Sequence, residues 1–304
     1  MGRIVKTVRP AFVSVVLLIA VMGISLSGPL VRSSGAHPIA IAIWRLVFSL
    51  AIIAIPLAIG GSWRQWRTLD RSRVVAALTG GAMLAAHFWS WNTSVGLTTI
   101  ASSVVLVNVQ PLIVGLLSAV WLREAPSRGQ WIGIGVAVAG SAVVVWPDLA
   151  AAVGGSFGGR AALGDLLALV GAVTAAIYYV IGRRLRSSLD LWPYVALVYG
   201  TCLVVLLALA LAMGVRVAPL PAREFSIFAS LALGPMLLGH TGLNWALRHA
   251  RAYQVNIVLL GEPVFATLLA ALLPGIRERP TMFTLVGGAV VLIGIVRAER
   301  PKKT

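Results

Sequence analysis

The sequence predicts an all-α integral membrane protein in which ten transmembrane helices form two inverted five-helix repeats. The first observation is composition: 59% of the 304 residues are hydrophobic and 11% are charged, whereas charged residues supply about a quarter of a typical soluble domain. The second is the recurrence of long apolar segments, and the third is a set of motifs that occurs twice. Together they exclude an ordinary soluble protein.

Ten apolar segments of transmembrane length follow one another along the chain. A helix of about 20 apolar residues crosses a hydrocarbon layer of about 30 Å. The predicted spans are residues 10–30, 38–60, 74–95, 99–121, 129–146, 162–181, 191–213, 225–247, 252–274 and 280–297. Basic residues precede the first span, as in a signal peptide, but nine spans follow it, and we therefore expect a retained helix.

The basic residues predict the orientation. With a cytoplasmic N-terminus, eighteen of the 25 Lys and Arg residues fall on the cytoplasmic side, six fall on the other side, and Arg45 lies within the second span. This asymmetry favours a multi-pass protein of the cell inner (plasma) membrane with both termini in the cytoplasm. The net charge of +16 is spread over short loops and termini, which argues against nucleic-acid binding.

Four motifs recur in the same order in the two halves of the chain, offset by about 152 to 155 residues. They are G-x-x-x-R-S-S at 28–34 and 182–188, G-x-M-L-x-x-H at 81–87 and 234–240, NVQP and LGEP ending at Pro111 and Pro263, and Glu-x-Pro at 124–126 and 278–280. The predicted halves are residues 1–148 and 160–304, joined by an external Gly/Ala-rich linker, 149–159.

An odd number of helices in each half has a geometric consequence. The second half must enter the membrane from the side opposite to the first, so the two halves are related by an axis in the membrane plane. Inverted repeats of this kind are typical of secondary transporters, which hold their substrate near the midplane between the halves.

The chain resembles a known family at several segments. They are QPLIVGLLSAVWLREAPSRGQWIGIGVAVAG and EPVFATLLAALLPGIRERPTMFTLVGGAVVLIG at the ends of the halves, GDLLAL at 164–169, and GHTGLNWALRHA ending at Ala250. With the five-plus-five repeat, these segments resemble the EamA-type members of the drug/metabolite transporter superfamily. The resemblance implies an inner-membrane exporter or exchanger of small metabolites, often amino acids or amphipathic drugs, with a central cavity formed by helices 1 to 4 and 6 to 9.

His87 and His240 occupy equivalent positions in the two repeats. Inverted symmetry predicts that they face each other at similar depth. A histidine pair at a cavity could change charge between about pH 5 and 8 and couple transport to protons, or it could bind a substrate carboxylate. The alternative is that each histidine only hydrogen-bonds a neighbouring helix.

Glu262 lies well inside the ninth span and directly precedes Pro263. Its carboxylate could titrate or bind a substrate ammonium group, or it could form a structural pair with Asn244, Asn256 or another donor. Gln110 occupies the equivalent position in the first half and predicts a shared hydrogen-bonding role near a proline kink.

Three further substrate-binding candidates are Trp91, Asn244 and Tyr179. Trp91 and Asn244 lie four residues after His87 and His240, hence on the same helix faces, and Tyr179 could stack against a substrate or pack between helices. Arg45 could attract an anionic group such as an amino-acid carboxylate, but we favour the alternative that it reaches the outer interface or neutralises a partner.

Two structural expectations complete the assignments. Asp165 follows Gly164 and is expected to cap the sixth helix. The glycines of the fifth and tenth spans predict close helix packing, either between the two halves or in a homodimer; they are Gly133, Gly135, Gly140, Gly287, Gly288 and Gly294.

The sequence therefore predicts a secondary transporter of small metabolites, such as amino acids or amphipathic compounds, that exports its substrate by alternating access. The alternatives are a facilitator or exchanger without proton coupling and a channel-like permease. An enzyme is not expected, because GISLS at 23–27 lacks the second glycine of G-x-S-x-G and H-E-x-x-H is absent. The expected partners are the small-molecule substrate, the lipid bilayer and protons, with no cofactor or metal ion.

Overall fold

The computed structural model describes residues 9–151, 159–218, 220–272 and 282–299 as helices and short connections, with no strand among them. The α-helices are α1 (Pro10–Ser25), α2 (Ser27–Ser33), α3 (Pro38–Ile59), α4 (Arg71–Leu97), α5 (Ile100–Val107), α6 (Gln110–Leu117), α7 (Arg128–Ala151), α8 (Gly159–Arg186), α9 (Leu191–Ala212), α10 (Ala222–Leu231), α11 (Gly242–Ala246), α12 (Ala252–Leu259), α13 (Glu262–Leu272) and α14 (Met282–Glu299). Ser62–Thr68 form a 3₁₀ helix, and Ser118–Leu122 and Ala232–Thr241 form π-helical turns.

All ten predicted spans contain helix, which confirms the all-helical fold. Within the described ranges, seven helical stretches are long and apolar enough to cross a membrane, and Leu285–Ala298 is a shorter apolar helix. The count of ten spans therefore stays a prediction. Most of the predicted linker, at 152–158, and the PGIRERP segment that contains Glu278 are outside the described residues.

Helix packing follows the sequence repeat. Extensive contacts join α7 to α14 and α3 to α9, and also α4 to α8 and α1 to the π-helical segment Ala232–Thr241. Each of the first two contacts joins equivalent helices of the two halves. The α4–α8 contact joins the third predicted span to the sixth, and the contact of α1 with Ala232–Thr241 joins the eighth span to the first. The repeat maps one of these contacts onto the other, so the packing has the approximate two-fold symmetry that the repeated motifs predict.

Glycines bring α7 and α14 into backbone contact. A Cβ added to Gly133 would lie 2.6 Å from the Ala298 backbone N, and one added to Gly294 would lie 2.5 Å from the Ala137 backbone N. Real Cβ atoms essentially never approach so closely. The predicted close packing thus occurs between the halves at these glycines, whereas a Cβ at Gly135 would meet no atom within 4 Å.

The fourth and ninth predicted spans are interrupted helices. Proline has no N–H, and its ring clashes with the carbonyl four residues earlier. For Pro111 and Pro263 that carbonyl belongs to Val107 and Leu259, the last residues of α5 and α12. Each proline is the second residue of the helix that follows, where a missing N–H costs little. The two prolines therefore place matching breaks in the two halves.

The capping role expected for Asp165 is wrong. Helix α8 already begins at Gly159, so Asp165 lies inside it, beyond the backbone amides that a capping side chain could reach. Residues 159–163 continue the helix because GRAAL contains no helix-breaking residue after its first glycine.

Replacing Gly133 by Leu should destabilise the protein, because the new side chain would have to displace the α14 backbone. Overpacking of this kind costs about 1 to 3 kcal/mol. The melting temperature of the purified protein in detergent should fall clearly below that of the wild type. Gly135→Leu is the matched control on the same helix and should leave it nearly unchanged; equal losses in both variants would contradict this account of the interface.

Candidate functional site

A small cavity lies between the two halves, and helices of both halves line it. Its volume is about 40 Å³, room for only a few water molecules. Seven of the eight candidate residues from the sequence line it: Arg45, His87, Trp91, Gln110, Tyr179, His240 and Glu262. A larger molecule can enter only after the surrounding helices move.

The two helix breaks are located at this cavity. Gln110 and Glu262 are the first residues of α6 and α13, and Asn108 lies in the break between α5 and α6. Asn108 donates a hydrogen bond of 3.3 Å from Nδ2 to Oε2 of Glu262, and the Gln110 amide donates one to Oδ1 of Asn256. Glu262 is thus paired with Asn108, and not with Asn244 or Asn256.

The two histidines lie next to each other, as the repeat predicts. Their ring centroids are 6.2 Å apart and the rings meet edge to face. The His87 Nδ1–H donates to the Gly171 carbonyl at 3.0 Å, because a carbonyl can only accept, and the Tyr179 hydroxyl lies 3.3 Å from Nδ1 of His240. Each histidine therefore lines the cavity and also contacts a residue of α8 through its Nδ1 atom.

Aromatic side chains surround the histidines. The Trp91 ring is nearly parallel to that of His87, at an interplanar angle of 9° and a centroid distance of 6.4 Å. The Phe88 ring meets the His240 ring edge to face at 5.3 Å. These rings give the cavity an apolar wall on which flat or apolar groups can pack.

Arg45 is buried in the cavity wall without an acceptor. Its side chain is 1% exposed, and none of its three guanidinium nitrogens has a hydrogen-bond partner among the described residues. The guanidinium carbon lies 4.3 Å from the centre of the Phe88 ring. The interpretation that Arg45 reaches the outer interface or neutralises a partner is wrong, because its position on α3 directs it inwards.

The contact with Phe88 does not offset the cost of burying Arg45. A desolvated cation–π contact contributes about 2 kcal/mol, whereas burying an ion in a protein costs several kcal/mol even after relaxation. No described protein atom accepts from the guanidinium, so its hydrogen bonds are open to water or to a ligand in the cavity.

Asn244 lies one layer behind the cavity. Its Nδ2 donates to the His240 carbonyl at 2.8 Å and to the Tyr178 hydroxyl at 2.5 Å, and it lies 3.3 Å from the Tyr199 hydroxyl. Asn244 is thus not at the cavity, although its spacing from His240 predicts it there: it supports His240 from behind.

Sequence reasoning missed three polar or aromatic residues of the wall, namely Ser27, Phe88 and Asn108. Asn108 carried a usable signal, because it lies two residues before the first residue of a proline-started helix. Phe88 carried none, since its importance depends on its contact with Arg45 across two helices.

Polar contacts also join the two halves at both ends of the molecule. At one end the Glu224 carboxylate accepts hydrogen bonds from the Ser34 hydroxyl and from the Gly35 N–H at 3.1 Å. At the other end Arg183 donates to Glu124 at 2.8 Å. Both contacts join one half of the chain to the other.

Comparison with known proteins places these features in context. A model of the EamA-like transporter family matches residues 11–146 and again residues 162–298. The chain is 27% identical over 269 residues to an uncharacterized transporter of Archaeoglobus fulgidus, with 87% of this chain and 90% of that protein covered. A solved crystal structure shares 20% identity and superposes with a TM-score of 0.75 over 96% of this chain and 97% of the other, which establishes similarity of fold.

Two relatives have names that state a substrate. A "probable terminal-alkyne amino-acid exporter" of Streptantibioticus cattleyicolor is 27% identical over 255 residues, covering 83% of this chain and 80% of the relative. The "pseudopaline exporter CntI" of Pseudomonas aeruginosa is 27% identical over 236 residues, covering 77% and 78%.

Replacing Arg45 by Met should stabilise the ligand-free protein, since removing buried charge in favour of an apolar side chain of similar size can stabilise by about 1 to 4 kcal/mol. Arg186 is the matched control, because it is equally buried but donates to the carbonyls of Asn244 and Leu189. Arg186→Met should lower the melting temperature, as each lost hydrogen bond from a charged donor costs about 1.5 to 3 kcal/mol. Shifts of the same sign in both variants would contradict the assignment of Arg45 as the unpaired cation.

Proposed function

The chain belongs to the EamA-like transporter family, and from that premise we propose that it exports a small metabolite across the cell inner membrane by alternating access. The observation that carries the proposal is the cavity between the two repeats, because both helix breaks and residues of both halves meet there. Secondary transporters bind their substrate at the interface of two repeats, beside interrupted helices.

The proposed architecture has ten transmembrane spans in two inverted repeats, residues 1–148 and 160–304, with both termini in the cytoplasm. The symmetric helix contacts, the matching breaks before Pro111 and Pro263 and the facing histidines support it. The excess of basic residues in the predicted cytoplasmic segments supports the orientation.

Amino acids and similar amphipathic metabolites are the proposed substrates. A cation (Arg45), a carboxylate (Glu262) and aromatic rings line one cavity, and such a wall suits a molecule with both charged and apolar parts. The names of two relatives, an amino-acid exporter and a pseudopaline exporter, favour export of this class. A channel-like permease is less favoured, because a site beside interrupted helices between two repeats is typical of secondary transporters.

His87, His240 and Glu262 are the proposed proton carriers. All three line the cavity between the halves, so a proton bound there would be exposed alternately to the two sides. A facilitator or exchanger, the second candidate function, would use the same residues only to contact the substrate or to hold the helices.

The first experiment is uptake of labelled amino acids into proteoliposomes, with and without an imposed pH gradient. Saturable uptake that the gradient accelerates is the expected result. Uptake that ignores the gradient but responds to substrate on the opposite side would establish an exchanger instead, and no saturable uptake of any amino acid would remove this substrate class.

Glu262→Gln should abolish the acceleration by the pH gradient while leaving substrate exchange measurable, because the amide keeps the shape and the contact with Asn108 but cannot release a proton. His240→Ala should lower uptake about tenfold, equivalent to about 1.4 kcal/mol, without preventing folding. Melting temperatures and detergent gel filtration serve as the folding control. Gradient-driven uptake at the wild-type rate in both variants would exclude these two residues from coupling.

The two end contacts should act as opposing gates. Labelling of Ser27→Cys, in a Cys202→Ser background, by a membrane-impermeant thiol reagent reports access to the cavity. Glu224→Ala should speed labelling from outside by about tenfold, or about 1.4 kcal/mol, and Glu124→Ala should slow it, because they weaken closure at opposite ends. Changes in the same direction would contradict alternating access.

A further inference from the structure

We propose that Arg45 is the residue that selects the substrate, by binding a carboxylate through its guanidinium group. This inference rests on the proposed transport function and deepens it. It assigns one side chain of α3 to one chemical group of the substrate.

Arg45 has no hydrogen-bond partner among the described residues. Arg45 is 1% exposed and its Nε, Nη1 and Nη2 atoms are all buried without a hydrogen-bond acceptor in the described part of the chain. Arg186 shows what this fold does with a buried arginine that only supports structure, because it donates to the carbonyls of Asn244 and Leu189. The donors of Arg45 have no such partner and are free for a ligand.

Arg45 also lies where a substrate would bind. Arg45 lines the cavity together with His87, His240 and Glu262. Its contact with Phe88 involves the face of that ring, and a ring face accepts no conventional hydrogen bond from the nitrogens. The Phe88 ring therefore positions the guanidinium group, while the N–H donors of that group form no hydrogen bond with the described residues.

The planar set of N–H donors on the guanidinium group suits a carboxylate. Guanidinium binds planar carboxylates through two parallel hydrogen bonds, which gives both affinity and orientation. A phosphate could also accept hydrogen bonds from the guanidinium group. A phosphate that carries two negative charges is less suited to a cavity that already holds the Glu262 carboxyl group. A carboxylate brings a single charge, and an ammonium group on the same molecule could face Glu262.

The test measures binding of the twenty common amino acids and of their α-carboxamides to the purified full-length protein. The rise in melting temperature with ligand concentration reports the affinity. The amide keeps the side chain and the ammonium group but removes the negative charge. In the wild type, at least one amino acid should bind more than about tenfold tighter than its amide.

The variants separate binding from folding. In Arg45→Met the preference for the acid over the amide should disappear, and Arg45→Lys, which keeps the charge but not the planar set of N–H donors, should recover part of it. Arg186→Lys, at a buried arginine outside the cavity, is the matched control and should keep the wild-type preference.

Each outcome decides the inference. Loss of the acid preference in Arg45→Met, with recovery in Arg45→Lys, supports it. Amides that bind the wild type as tightly as the acids, or an acid preference that survives in Arg45→Met, would overturn the role of Arg45 and leave the transport function standing. Binding of neither form would instead reject amino acids as the substrate class, and the inference would fail with it.

Discussion

The whole arrangement depends on how the backbone hydrogen bonds are satisfied inside a membrane. An apolar environment offers no partner for a free N–H or C=O, so a spanning chain must be helical, and a break is tolerated only where protein or a water-filled cavity covers it. Pro111 and Pro263 impose two such breaks at equivalent positions of the repeat. Protein or a cavity therefore has to cover both breaks, and in this fold both lie at the cavity between the halves.

Burial of charge is the second constraint. The presence or absence of a partner distinguishes buried charged side chains that support the structure from one that can bind a ligand. Glu262 has a donor in Asn108, and Arg186 has two carbonyl acceptors. Arg45 has neither an anion nor an acceptor among the described residues. A buried cation without an acceptor lowers the stability of the ligand-free protein. Binding of an anion to that cation would raise the stability again.

Much of the site could be predicted from the sequence because the repeat supplies three-dimensional information. His87 and His240 were expected to meet since an inverted repeat maps one onto the other, and their rings lie 6.2 Å apart. The helical period also placed Trp91 at the cavity, but it failed for Asn244, which lies behind His240. The repeat could not predict the role of Arg45, because Arg45 has no charged counterpart in the second half. Its depth along α3 also did not reveal in which direction the side chain points. The contribution of Phe88 depends on packing between α3 and α4, which no local pattern encodes.

The π-helical turns at Ala232–Thr241 break the symmetry of the two halves. They contain Pro235, whereas the equivalent position of α4 is Ala82 in a regular helix. With identical inverted halves, the inward-facing and outward-facing forms would be the same structure viewed from opposite sides, and neither would be preferred. Helix α4 is regular where its counterpart Ala232–Thr241 is distorted. In the proposed alternating-access carrier, this local difference beside His240 would make the two forms unequal in energy.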